Sequence, residues 1–293
     1  MKRLVLLCLA LLPLLAGAQT LERVRASQQL NVGYLAELAP FSATQDGQAK
    51  GYAIELCQQV AEHLRREQGL AQLQVRFQPM GLEEGLTAVH DGSLDLFCSA
   101  TVETLERRRQ VSFSLPIYTA GRGVAVSREA PQGLVQLLNG EVVPNAPQWR
   151  ANIARGLSNR RFLVLAGSST EKWARDRMRE LKVIASLRTV SNLREGMQML
   201  VEGQADAFFS DRVLLHNWLT SSGLDQRLQV LDRVFDLEPV GLVLARDDED
   251  FRLLVDSTLS ELYRSGQIEP IYSRYFGAPT ERVRLMFRAN TLH

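Results

Sequence analysis

The sequence predicts an α/β fold in two lobes. Short apolar strand candidates alternate with amphipathic helical segments, as in a mostly parallel sheet covered by helices. The alternation stops near residue 115 and restarts near residue 162. Two extended stretches, near 119–127 and 235–245, lie where the chain would pass between the two blocks.

The first block opens with a short apolar strand over 30–34, with Gly33 near its end. Ala39-Pro40-Phe41-Ser42 reads as a loop and Gln45-Asp46-Gly47 as a turn. Over 52–66, Ile54, Cys57, Val60, Ala61 and Leu64 recur at helical spacing with a charged face opposite. Residues 74–79 alternate as a strand, 82–90 form a helix stopped by Asp91-Gly92, and 94–99 make a buried strand. The pattern then breaks at Leu115-Pro116-Ile117-Tyr118, and 123–127 are extended. Residues 131–160, with Pro144, Pro147 and Trp149, show no period and read as an irregular surface insertion. The second block runs strand 162–166, helix 171–180, strand 183–185, helix 193–202 and strand 205–210. A strand over 240–245 precedes a long helix in which Phe251, Leu254, Val255, Leu259 and Leu262 share a face, and then a tail.

These elements assign residues 19–120 and 241–293 to the first lobe and 121–240 to the second. Two lobes joined by two crossings form a hinge with a cleft between them. Gly121-Arg122-Gly123 lacks the rest of a dinucleotide fingerprint and reads as flexible crossover chain.

The N-terminus predicts export. Met1-Lys2-Arg3 is basic, 4–15 are apolar apart from Pro13, and Ala16-Gly17-Ala18 offers a small-x-small cleavage site. Residues 1–18 thus carry the pattern of a secretory signal, with a retained anchor helix as the alternative. Cys8 lies inside the apolar run, poorly placed to carry a lipid. No later segment reaches the about 20 apolar residues that span a bilayer, so the mature chain is expected to be soluble and periplasmic. A net charge of +1 points to neither nucleic acid nor an anionic membrane. Cys57 and Cys98 remain after cleavage; an oxidising compartment favours one bridge between them over two buried thiols.

Enzyme signatures are scarce. His63, His90, His216 and His293 form no H-E-x-x-H pair or ligand cluster, so no metal is expected. There is no G-x-S-x-G elbow and no phosphate-binding loop, so no cofactor is expected.

Seven segments, in order, resemble the periplasmic amino-acid-binding proteins of polar amino-acid ABC transporters, solute-binding protein family 3. They are Val32-Gly33-Tyr34 with Pro40-Phe41-Ser42, then Gly51-Tyr52-Ala53-Ile54-Glu55-Leu56, then Gly92-Ser93-Leu94-Asp95-Leu96. Thr104-Leu105-Glu106-Arg107 running into Val111-Ser112-Phe113-Ser114 is the most distinctive. Gly167-Ser168-Ser169-Thr170-Glu171, Gly203-Gln204-Ala205-Asp206-Ala207-Phe208 leading to Asp211, and a closing helix with Gly266 and Tyr275-Phe276 complete the set. The resemblance implies a type II periplasmic binding fold that, as a monomer, clamps an amino acid between its lobes for a membrane ABC permease.

A free amino acid presents a carboxylate and an ammonium, and a closed site must neutralise both. The resemblance assigns the carboxylate to Arg107, whose planar fork can bond both oxygens. Thr104 is placed to cap the turn that opens there, and Arg108 and Arg109 read as a solvated face. The resemblance assigns the ammonium to Asp211, which otherwise reads as the N-cap of the next helix. Gly167-Ser168-Ser169-Thr170 opens a helix whose N-terminus favours anions. There the resemblance gives Ser169 a share of the carboxylate, with Thr170 beside it, while Ser168 and Glu171 read equally as a capping box.

Ala100 and Val102, where the family often carries Ser, Gly or Thr, are expected to line the site without a hydroxyl. Phe41 is a candidate for the ligand slot, and Tyr34 a weaker one. Leu35, Leu38, Met80 and Leu82 suggest an apolar side-chain pocket, with Glu37 solvent-facing, hence a neutral or polar amino acid or a close analogue. Periplasmic dehydratases of cyclic diene acids resemble the same fold, and Glu103 is the candidate acid for that alternative. A ligand-presenting sensor component is a third possibility.

Overall fold

A computed structural model of the chain describes residues 20–141 and 155–292. The expected signal over 1–18, Cys8, the prolines and tryptophan at 144, 147 and 149, and His293 lie outside the described residues.

In chain order the strands are β1 (Gln29–Tyr34), β2 (Glu37–Leu38), β3 (Ser42–Gln45), β4 (Gln48–Lys50), β5 (Gln74–Pro79), β6 (Leu96–Val102), β7 (Val111–Phe113), β8 (Tyr118–Ser127), β9 (Arg161–Leu165), β10 (Ser186–Val190), β11 (Ala207–Asp211), β12 (Leu228–Val230) and β13 (Leu237–Ala245). The helices are α1 (Thr20–Ser27), α2 (Tyr52–Glu67), α3 (Leu82–His90), α4 (Gln132–Asn139), α5 (Ser169–Leu181), α6 (Leu193–Val201), α7 (Arg212–Ser222), α8 (Glu249–Ser265), α9 (Ile268–Phe276) and α10 (Glu281–Ala289).

The main sheet runs β10-β9-β11-β8-β13-β6-β1-β5. At one end β5, β1 and β6 are parallel, and at the other β11, β9 and β10 are parallel. Between them β8 and β13 pair antiparallel, Gly121 opposite Leu237 and Tyr118 opposite Val240. These are the two expected crossings, and each also pairs antiparallel with a strand of an end block. Parallel neighbours require helical crossovers, which is why α2, α3, α5 and α6 fall between their strands.

One apolar cluster runs through both blocks, and a second lies within the second block. In the first, Ile54, Val60 and Leu64 of α2 are buried with Leu30 and Val32 of β1. In the second, Val124 and Val126 of β8 pack with Phe162 and Phe209. Cys57 of α2 and Cys98 of β6 are fully buried and form a disulfide, 41 residues apart in sequence. Closing a loop of that length restricts the unfolded chain. Replacing both cysteines with alanine is therefore expected to cost about 2–4 kcal/mol and lower the melting midpoint by roughly 5–15 °C, as read by calorimetry.

Four sequence expectations change. The strand expected at 183–185 lies instead at Ser186–Val190. Lys182 takes a left-handed backbone that ends α5, and the Val183 N–H bonds back to Met178, so the burial of Val183 belongs to a helix end. Within 131–160, Gln132–Asn139 is helical, with Leu134 and Leu138 buried one turn apart and Gly140 left-handed at the C-cap. Too few turns are present for a period to register. The tail after α8 folds into α9 and α10, held by Tyr272 and Phe276 against Tyr118 and by Phe287 against Tyr263. Gly121-Arg122-Gly123 is ordered strand, and the Arg122 side chain is 2% exposed.

Candidate functional site

The two blocks meet around a cavity of about 460 Å³. Strand β6 and the Arg107 turn supply one wall; the ends of β9 and β11 and the starts of α5, α6 and α7 supply the other. Such a position, beyond the carboxyl ends of strands, is where α/β sheets bind ligands. The blocks also touch beside it. Asn217 of α7 donates to the Ala39 carbonyl at 3.1 Å on one flank, and Arg107 reaches Gly167 on the other.

Arg107 begins a short 3₁₀ turn whose first N–H is accepted by the Thr104 hydroxyl at 3.2 Å, the expected cap. Its guanidinium donates to two backbone carbonyls, Val102 at 2.8 Å and Gly167 at 3.2 Å. Among the described residues no carboxylate pairs with it, and burial holds its pKa below the ordinary arginine value. Arg108 is exposed and pairs with Glu103 at 3.2 Å, as a solvated face should.

Asp211 ends β11 and caps α7. One carboxylate oxygen accepts the Val213 N–H at 2.8 Å and the other accepts the Gly121 N–H at 3.0 Å. Capping and cavity lining therefore coexist in one side chain. Burial lifts its pKa from 3.8 to about 6, against the pull of those backbone donors and with a further push from Glu238.

The loop opening α5 makes the expected cap, and its two cavity hydroxyls are engaged within the protein. Ser168 caps the helix, accepting the Glu171 N–H at 3.1 Å, and Glu171 reaches back to the Gly167 N–H at 3.0 Å. Ser169 lines the cavity, but its hydroxyl donates to Glu238 at 3.1 Å. The Thr170 hydroxyl accepts from Arg122 Nε at 3.3 Å. A ligand carboxylate would have to draw Ser169 away from Glu238.

Ala100 and Val102 line the cavity, as do Leu35, Leu38 and Leu82. Phe41 lines it too, with its ring packed against Tyr118 and Phe276 at 5.0 and 5.2 Å. Gly51 makes this placement possible. Its φ of 134° and missing Cβ let the chain cross the Phe41 carbonyl, where any side chain would collide. Tyr34 is not among the lining residues; it is buried, with its hydroxyl 2.8 Å from Thr44. Met80 is likewise outside the lining and packs with Leu94 and Phe97. Glu37 is exposed at the rim, and Glu103 does not line the cavity.

Sequence reasoning missed the far wall, where Leu165, Asn192, Leu193 and Leu214 face the cavity. Asn192 caps α6 directly after β10, the same strand-end signal that singled out Asp211. It also missed Arg122 and Glu238, paired at 2.6 Å. An arginine leading into Val124-Ala125-Val126 was the one available signal. No group of three or more His, Cys, Asp or Glu able to hold a metal occurs among the described residues.

Two α/β lobes joined by paired crossing strands, with a cleft that sets an arginine opposite a partly buried aspartate, define a type II periplasmic binding fold. The chain belongs to the bacterial extracellular solute-binding proteins, family 3, which it matches over residues 30–278. It is 25% identical over 262 residues to an L-glutamate/L-aspartate-binding protein of Pseudomonas aeruginosa, covering 89% of this chain and 80% of that one. It is also 26% identical over 267 residues to a cyclohexadienyl dehydratase of the same organism, covering 89% and 88%. Among solved structures, an ancestral amino acid-binding protein described as a precursor of cyclohexadienyl dehydratase superposes with a TM-score of 0.71. That structure is 24% identical, and the match covers 88% of this chain and all of that one.

Proposed function

We propose that this chain is a periplasmic protein that captures a neutral amino acid by cleft closure and presents it, as a monomer, to a membrane ABC permease. One observation carries the reading: Arg107, a partly buried cation at the cavity, donates to two backbone carbonyls and makes no direct ion pair among the described residues. A partly desolvated guanidinium that lacks a direct ion pair favours an anion in the cavity. Asp211 on the opposite wall supplies the complementary charge for an ammonium.

The side-chain preference rests on the lining. Arg107 is the one cation there among the described residues, and Leu35, Leu38, Leu82, Leu165, Leu193 and Leu214 share the remaining wall with neutral polar groups such as Thr101, Ser191 and Asn192. The second carboxylate of glutamate or aspartate, ligands named for the Pseudomonas relative, would find no second cation in that lining and would meet the negative charge of Glu37 at the rim.

The lobes are assigned to 19–120 with 241–293 and to 121–240, a division that passes through the β8–β13 pairing. Export through residues 1–18 completes the reading. The carboxyls lining the cavity are Asp211 and Glu37; Glu103 pairs with Arg108 outside it, which supports capture over dehydration.

The test is a thermal-shift screen of protein refolded to strip carried ligand, using the standard amino acids and cyclic diene acids. A ligand at 100 times its Kd is expected to stabilise the fold by about 2.7 kcal/mol. Shifts with one or a few neutral amino acids support the reading. A shift only with a cyclic diene acid that is then consumed replaces capture with dehydration.

A further inference from the structure

Arg122 is the most deeply buried charged group near the cleft, its side chain 2% exposed, yet it is not among the residues lining the ligand cavity. It leaves crossing strand β8 and makes four contacts. Nη2 donates to Glu238 of the other crossing strand at 2.6 Å, and Nη1 donates to Asp236 at 3.3 Å. Nε donates to the Thr170 hydroxyl at 3.3 Å, and the guanidinium lies 4.9 Å from the centre of the Trp173 ring. Thr170 and Trp173 both belong to the first turns of α5. Glu238 then accepts the Ser169 hydroxyl from the same turn. One guanidinium thus ties the N-terminal turn of α5 to both crossing strands.

That turn carries Ser169, which lines the cavity near Arg107, and Gly167, whose carbonyl holds the Arg107 guanidinium. If the turn moved relative to the crossings, it would no longer meet a ligand held by Arg107 when the lobes come together. A planar fork with fixed donor directions can hold three acceptors at set angles; an ammonium is a single point charge. We propose that Arg122 is a positioning residue for ligand capture. It locks the Gly167–Thr170 turn to the two hinge strands, so that closing the hinge delivers Ser169 to the ligand carboxylate.

This rests on the amino-acid reading above, and the experiment separates the two. Each standard L-amino acid is titrated into the wild-type protein, and the tightest binder becomes the probe. Arg122→Lys keeps the charge but cannot span Thr170, Asp236 and Glu238 from one group. It is expected to weaken Kd at least tenfold, mainly through faster release, with a melting midpoint within a few degrees of wild type. In a Ser169→Ala background the same change should cost less than threefold, because Arg122 acts through that turn. A residue with a merely structural role would cost the same in both backgrounds.

A Kd within twofold of wild type, or equal costs in the two backgrounds, overturns the role of Arg122 alone. Should Arg122→Lys fail to fold, Glu238→Asp goes through the same cycle with the same two readings. It keeps the charge but withdraws the carboxylate from Arg122 and Ser169. A wild-type protein that binds none of the amino acids overturns the capture reading and this role with it.

Discussion

Arg107→Ala is expected to remove amino-acid binding while leaving the protein folded. The guanidinium holds two backbone carbonyls and its short turn contains no buried residue, so little of the fold depends on it. A bound carboxylate facing the cavity without its cation is a buried unpaired charge, worth about 3–5 kcal/mol. The loss in Kd should therefore be on the order of 10²–10⁴-fold by calorimetry, with an unchanged far-ultraviolet spectrum. Arg107→Lys should recover part of the affinity, since an ammonium supplies the charge without the bidentate fork. Affinity within tenfold of wild type in Arg107→Ala would remove the carboxylate role.

Asp211 is expected to make binding depend on pH. Only its ionised form attracts an ammonium, and burial has lifted its pKa to about 6. The carboxyl is ionised above that value and protonated below it. Affinity should therefore be flat above pH 7 and weaken up to tenfold per pH unit below about 6. A bound ammonium favours the ionised form, so binding near pH 6 should release protons, detectable by calorimetry in buffers of different ionisation enthalpy. In the ligand-free fold the sign is reversed. Ionising a carboxyl lifted from 3.8 to about 6 costs about 3 kcal/mol at neutral pH, a cost absent below pH 3.8. Asp211→Asn should thus bind on the order of 100-fold more weakly with little change in ligand-free stability at pH 7, because the amide oxygen can still cap α7 and the removed ionisation cost offsets the acceptor lost to the Gly121 N–H. A Kd constant from pH 5 to 8 would exclude Asp211 as the ammonium partner.

The candidate site was legible where one residue type at one place could do one job. Arg107 and Asp211 were singled out by the resemblance, the one beside the Thr104 cap and the other as an N-cap; both lie on the cavity. Ala100, Val102, Phe41, Ser169 and Thr170 lie there too. The misplacements have a shared cause. Tyr34 and Met80 were chosen by closeness in sequence to cavity residues, but their side chains pack with Thr44 and with Leu94 and Phe97. The hydroxyls of Ser169 and Thr170 are engaged with partners 69 and 48 residues away.

The sequence alone determined the α/β alternation of the two blocks, the two crossings and the family, because each is written in local periodicity, caps or short motifs; helix α4 and the two closing helices registered only in the fold. It also narrowed the bridge to a single pair of cysteines, and the tertiary structure joined them. Only the tertiary structure decided how the buried charges are shared. Arg122 and Glu238 stand 116 residues apart, on strands that become neighbours only when the two crossings pair. A buried charge must find its partner wherever the fold brings one within reach, and no local pattern records that distance.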